Sequence, residues 1–177
     1  RIGAFGFSSG GFTVLALAGG VADLKRVGPH CEQHPSHYAC NVIRQDRRVT
    51  EAAVFANPSV RDARVRAVVS AAPALGFTFT RESLEAFGVP VQLWRAERDE
   101  VLPHPWYAEA VRAGLPKSVD YREVANAGHF DFLAPCSASF AAMARPLCNS
   151  AAGFDRVAFH QAFNTAVVAF FSQALKK

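Results

Sequence analysis

A serine stands between two glycines near the start of the chain, Gly6-Phe7-Ser8-Ser9-Gly10, spelling G-x-S-x-G. A serine hydroxyl is a weak nucleophile. It attacks a carbonyl only when a base takes its proton and the backbone lifts it clear of its surroundings. The pattern meets the second demand when a strand runs into it and a helix leaves it. Arg1-Ile2-Gly3-Ala4-Phe5 reads as that strand, and Gly11-Phe12-Thr13-Val14-Leu15-Ala16-Leu17-Ala18 as that helix. Gly6 and Gly10 are expected to give the turn room, since a side chain at either would crowd the neighbouring backbone. The Ser9 amide, at the positive end of the helix, is placed to donate to an oxygen that gains negative charge, as an oxyanion hole requires.

The hydroxyl also needs a base, and the base needs a carboxylate to fix its tautomer. Two later stretches offer them. Ala96-Glu97-Arg98-Asp99-Glu100-Val101-Leu102-Pro103 follows the apolar run Val91-Gln92-Leu93-Trp94-Arg95. Ala125-Asn126-Ala127-Gly128-His129-Phe130-Asp131-Phe132 follows Val119-Asp120-Tyr121-Arg122-Glu123-Val124. Asp99 and His129 therefore fall just past strands, as Ser8 does. Glu97 and Glu100 compete with Asp99 for the acid's place. His104 and His160 compete with His129: His104 at a helix start, where it would line a pocket, and His160 beside the apolar stripe of the last helix. Asp131 is expected to cap the loop of the base.

The elements that must carry these groups follow from periodicity and punctuation. Val65-Arg66-Ala67-Val68-Val69-Ser70-Ala71 is a short β-branched run, hence a buried parallel strand, as is 91–95. Residues 119–124 alternate like a half-exposed strand at a sheet edge. Gly19-Gly20 stops the first helix, and a helix is expected in part of 50–57. Thr80 caps another over 80–87, and Pro105 at a first helical position starts one that Gly114 closes. The last helix has Asp155 as N-cap, with Phe154 and Phe159 placed for a hydrophobic staple. Its Phe159, Phe163, Ala166, Val167, Phe170 and Ala174 form one core-facing stripe. Strands alternating with helices predict an α/β fold, a mostly parallel sheet covered on both faces, with reactive groups at the C-terminal strand ends.

With 177 residues, half of them apolar, the chain suits one domain. No apolar run reaches the length of a membrane span. The net charge of +4 spreads 19 basic residues among 15 acidic ones. The densest basic patch, Arg61, Arg64 and Arg66, is interrupted by Asp62 and has no interleaved aromatics, which argues against a nucleic-acid surface. The strand of the nucleophile is ordinarily central in such a sheet, and a central strand left as an edge exposes unpaired backbone groups. The chain is therefore expected to be the C-terminal portion of a larger domain, with an excursion loop at about 28–48.

Four cysteines form two local pairs, Cys31 with Cys40 and Cys136 with Cys148. Such pairing predicts two disulfides and an oxidising compartment, periplasmic or secreted, each bridge worth roughly 3 kcal/mol by loop closure. The first pair also spells C-x2-H-x2-H-x2-C with His34 and His37. Four ligands within ten residues leave little chain to wrap a zinc tetrahedron, so no metal is assigned.

Gly6-Phe7-Ser8-Ser9-Gly10-Gly11, Asp99-Glu100-Val101-Leu102-Pro103 and Ala127-Gly128-His129-Phe130-Asp131-Phe132-Leu133 together resemble an α/β-hydrolase of the dienelactone hydrolase-like group, which shades into platelet-activating-factor acetylhydrolase-like enzymes. The resemblance spans essentially all 177 residues, lacking the fold's N-terminal strands. It implies a Ser8–His129–Asp99 triad, in the chain order Ser, Asp, His, and acyl-enzyme cleavage of a small carboxylic ester with no cofactor. True dienelactone hydrolases carry cysteine where Ser8 stands, which favours ordinary esters over dienelactones. A second oxyanion donor usually comes from a loop after an earlier strand, so the missing N-terminal part of the domain is an expected partner. A peptidase or acyltransferase with the same triad, or a non-catalytic binding member or inactive fragment, are the other readings.

Overall fold

Four apolar runs become the four strands of one sheet. The structure is a computed structural model, and it describes residues 1–45 and 59–176. The strands are β1 (Ile2–Phe7), β2 (Val65–Ala71), β3 (Val91–Ala96) and β4 (Asp120–Val124). They lie side by side in that order and every pairing is parallel. Helices α1 (Ser9–Ala18), α2 (Val27–Gln33) and α3 (Tyr38–Gln45) lie between β1 and β2 in sequence. α4 (Arg81–Glu85) joins β2 to β3, and α5 (Ala108–Gly114) joins β3 to β4. After β4 come α6 (Ala138–Met143), α7 (Arg145–Cys148) and the long α8 (Arg156–Ala174). This is an α/β fold.

A parallel sheet must be buried on both faces, and the period of two along each strand supplies both. Val68 and Leu93 join Val14 and Leu15 of α1, Leu84 of α4 and Val111 of α5 in one core. Their chain neighbours Val69 and Trp94 join Ala71, Ala96, Phe132 and Phe163 of α8 in another. Phe159, Ala166, Val167 and Phe170 pack against this second core, so the aromatic stripe of the last helix is a sheet-covering face. That helix starts where its signals place it. Asp155 accepts the Ala158 N–H at 2.9 Å, and the Phe154 and Phe159 rings stand 5.6 Å apart.

Register decides where Ser8, Asp99 and His129 emerge. Phe7 pairs with Ala71, Ala71 with Trp94, and Ala96 with Val124, so the C-terminal strand ends are level. Ser8, Asp99 and His129 each follow one of these ends. β4, with Asp120, Tyr121 and Arg122 half-buried and Glu123 exposed, is one outer strand of the sheet, and β1 is the other among the described residues.

Three elements differ from expectation. Within 28–48, the described residues 28–45 do not run as a plain loop. α2 and α3 occupy most of the stretch, and the Cys31–Cys40 bridge, with Cα atoms 5.3 Å apart, clips them together. Pro29 fits the first turn of α2, where its missing N–H has no intrahelical role. Second, Pro105 does not open a helix. It lies in a turn closed by the Trp106 N–H donating to Pro103 O at 3.3 Å, and α5 starts at Ala108. Third, the α4 helix is shorter than 80–87, although Thr80 caps it by accepting the Ser83 N–H at 3.3 Å. The helix expected in 50–57 lies outside the described residues. Both disulfides are formed, and no helix among the described residues is long and apolar enough to cross a membrane.

Candidate active site

Ser8 sits where β1 turns into α1, at φ +55° and ψ −116°, a conformation that L-residues rarely adopt. Backbone hydrogen bonds hold it there. The Ser8 N–H donates to Ala71 O at 2.9 Å, and the Ser8 carbonyl accepts the Phe12 N–H at 3.1 Å and the Ala74 N–H at 3.0 Å. The turn has room for only one kind of residue at position 6, since a Cβ on Gly6 would lie 2.0 Å from Gly10 O. Gly10 itself does not need to be glycine for space: a Cβ there meets nothing within 4 Å. The close approach belongs to Gly11, where a Cβ would stand 3.0 Å from Ala71 O, Pro73 Cα and Ser70 Oγ. Ser8 is half-buried, and Ser9, whose amide begins α1, is exposed.

The three residues predicted at strand ends meet. His129 Nε2 lies 3.1 Å from Ser8 Oγ, and His129 Nδ1 lies 2.9 Å from Asp99 Oδ2. The imidazole is 2% exposed and the Asp99 side chain 5%, so the ring and its carboxylate partner are shielded from water. Phe7 flanks the ring at 4.7 Å between centroids, and Phe130 at 5.3 Å. Asp99 Oδ1 is fixed in turn by the amides of Val101 and Leu102, at 3.1 and 2.7 Å. With Nδ1–H donating to Asp99, Nε2 is left as the acceptor facing the serine hydroxyl.

The competing residues have other work. Glu97 accepts the Asn126 N–H at 2.6 Å, and Glu100 accepts the backbone N–H of His129 at 3.0 Å. Both carboxylates shape the loop of His129 through its backbone. His104 is more than half exposed and pairs with Glu109 at 2.6 Å, beside Arg95. It joins, from the surface, a largely buried Arg95–Glu109 ion pair. His160 donates through Nε2 to the Asp131 carbonyl, 2.9 Å away. Asp131 caps the His129 turn, its Oδ2 accepting the Gly128 N–H at 2.8 Å.

Two features have no counterpart among the sequence expectations. One is Arg156, which is 7% exposed and reaches Asp131. A cation in the first turn of a helix opposes the helix dipole, and that local oddity is the signal the sequence carries. The other is a cluster of rings at the same rim. His30 stacks on Phe77 with 3.7 Å between centroids and its Nε2 lies 3.1 Å from His37 Nδ1. His37 Nδ1 is also 3.3 Å from Tyr107 Oη, and Trp106 lies against His34. Burial, then the neighbouring imidazoles, push His30 down from 6.5 to about 4, and the same causes lower His37. Tyr107 is pushed up to about 12 by burial and then by the negative charge of Asp99, which ties the ring cluster electrostatically to the acid. The histidine spacing is visible in the sequence, but the packing of α2 against the 103–107 turn is not.

Cys31 and Cys40 are joined to each other, so neither sulfur is present as a thiolate that could ligate zinc. Among the described residues no group of three or more His, Cys, Asp or Glu side chains is arranged to hold a metal ion. The chemistry this geometry allows is proton transfer from a strained serine to a buried, carboxylate-oriented imidazole. Compared with known proteins, the chain is matched by no protein-family model and by no curated protein.

Proposed function

We propose that this chain is a serine-dependent carboxylic ester hydrolase of the α/β-hydrolase type, similar to the dienelactone hydrolase-like and platelet-activating-factor acetylhydrolase-like enzymes. The observation that carries the reading is the unbroken line Ser8 Oγ–His129 Nε2, 3.1 Å, and His129 Nδ1–Asp99 Oδ2, 2.9 Å, built on a serine at positive φ. Such strain in the backbone persists only where the surroundings over-determine it, and it concentrates at reacting residues.

In the first half-reaction His129 takes the Ser8 proton as Oγ bonds to the ester carbonyl carbon. The Ser9 N–H donates to the resulting oxyanion, a single donor of this kind being worth about 100- to 1,000-fold in rate. His129 then returns the proton to the departing alkoxide. In the second half-reaction it deprotonates water, which releases the acid and restores Ser8. Asp99 keeps the imidazole in one tautomer and stabilises its charged form throughout. The paired, oxidised cysteines fit a periplasmic or secreted enzyme.

A fluorophosphonate probe followed by peptide mapping tests the nucleophile, and a series of p-nitrophenyl esters tests the reaction. The expected outcome is one adduct, on Ser8, and hydrolysis that His129→Ala abolishes. Hydrolysis that persists in His129→Ala, or an adduct elsewhere, overturns the reading.

A further inference from the structure

The ring of His129 is aligned on two partners by the short turn His129–Phe132, and one turn of this kind has little stiffness of its own. Its stiffness comes from Asp131, whose carboxylate is bonded elsewhere than to Ser8 or Asp99. Oδ2 of Asp131 accepts the Gly128 N–H, immediately before His129, at 2.8 Å. Oδ1 accepts from the Ser150 hydroxyl and from Arg156 Nε, the latter at 3.0 Å. The Asp131 carbonyl is occupied by His160. Arg156 Nε also donates to Ser150 Oγ at 3.1 Å, and its two terminal nitrogens donate to the carbonyls of Leu147, 2.8 Å, and Asn149, 3.2 Å. Those two residues flank Cys148, which is bonded to Cys136.

A continuous path therefore runs from a covalent bridge through two carbonyls, a guanidinium and a carboxylate to the amide that precedes the imidazole. Asp131 is 2% exposed and Arg156 7%. Charges this far from water keep their geometry only when every partner is in place, so the path is stiff if complete and useless if broken. Resting on the reading that His129 is the base, we propose that Asp131 is its positioning residue, and that Arg156 with the Cys136–Cys148 bridge holds Asp131 in register. An imidazole displaced by an ångström still permits substrate binding but misses the hydroxyl, a displacement that costs on the order of 100-fold in rate.

The test combines kinetics with a signal that needs no turnover. Asp131→Asn, Ser150→Ala and Arg156→Lys are made in the full chain. The low-field proton resonance of His129 Nδ1–H, assigned by its loss in Asp99→Asn, is recorded beside kcat and KM for p-nitrophenyl acetate. Asp131→Asn is expected to lose or broaden the resonance and to lower kcat about 100-fold, with KM changed less than about two-fold. Ser150→Ala removes the hydroxyl's bonds to Asp131 and to Arg156 Nε and leaves the fold its ion pair. It shifts both readouts in the same direction, and it decides the question if Asp131→Asn does not fold. Arg156→Lys, which keeps the charge, retains more kcat than Arg156→Met. Folded Asp131→Asn or Ser150→Ala protein with wild-type resonance and kcat overturns the positioning role. Wild-type protein that shows the resonance, loses it in Asp131→Asn and resists the fluorophosphonate keeps the positioning role and sinks the esterase reading.

Discussion

Ser8 and His129 lie 3.1 Å apart, yet they are held by opposite means. The serine is fixed by backbone: three main-chain hydrogen bonds, a glycine with no room for a Cβ, and the rigid junction of a strand with a helix. The histidine is fixed by side chains: Glu100 on its own amide, Asp131 on the amide before it, Asp99 on its ring. Ser8 thus tolerates changes of side chain around it so long as the main chain fits. His129 depends on charged groups that come with their own networks of partners. Each can be attacked separately.

Removing the reacting groups themselves gives the largest effect and says least about how they are held. Ser8→Ala and His129→Ala are each expected to lower kcat at least about 10,000-fold, with little added loss in the double variant, since the two act as one unit. A p-nitrophenyl ester assay measures this. Losses that multiply in the double variant would mean that serine and histidine serve different steps. The next effect belongs to the backbone side of the comparison. Gly6→Ala drives a methyl to within 2.0 Å of Gly10 O, a contact that only main-chain movement relieves. A loss of about 3 kcal/mol in urea unfolding is expected, with Ser8 labelling lost in step.

This division also explains how much of the molecule is legible in the sequence. Backbone devices leave marks at fixed offsets. The G-x-S-x-G turn, the β-branched runs of β2 and β3, and Asp155 before the last helix each follow from local residue types. Asp99 and His129 are readable because each closely follows a strand. Side-chain devices leave no such marks. The cation in the first turn of α8 marks Arg156 as unusual, but its partner Asp131 cannot be read from the segment, because that contact depends on where α8 crosses the sheet. Gly10 departs from its expected crowding for a related reason. Crowding is decided by what stands opposite in space, and it is Gly11 that faces β2. At the Pro105 turn and the α2–α3 hairpin, tertiary packing of the rings around His30 outweighs the local signals.

Acid acts on side chains that titrate and not on the main-chain groups that hold the turn of Ser8, and the ring cluster carries such a side chain in His30. His30, stacked on Phe77 and hydrogen-bonded to His37, resists protonation down to about pH 4, while the unfolded chain accepts a proton near 6.5. Between those values the unfolded state binds the proton that the folded state refuses, so stability falls as pH drops from about 6.5 toward 4 and is fully present above that window. Carboxylates add their own acid dependence, which a variant separates. His30→Phe keeps the stack on Phe77 and removes the titration, and its unfolding midpoint is expected to fall less between pH 7 and pH 5 than the wild type's. Equal falls in the two proteins would show that His30 contributes nothing to acid sensitivity.

The smallest effect is the sharpest test of what the backbone side requires. Gly10 looks as indispensable as Gly6 in the motif, but the two differ in surroundings. A Cβ at 10 meets nothing within 4 Å, the residue lies in the first turn of α1, and its φ is not among the positive ones. Alanine there removes backbone freedom from the unfolded chain and suits the helix, which predicts a gain of about 0.5–1 kcal/mol. Gly10→Ala should therefore unfold at slightly higher urea and label at Ser8 at the wild-type rate. If it folds normally but labels slowly, the space above Gly10 is where the acyl group sits, and the second glycine of the motif serves the substrate. If it unfolds early, the turn is tighter than its main-chain contacts indicate, and the contrast between a backbone-held serine and a side-chain-held histidine loses its clearest case.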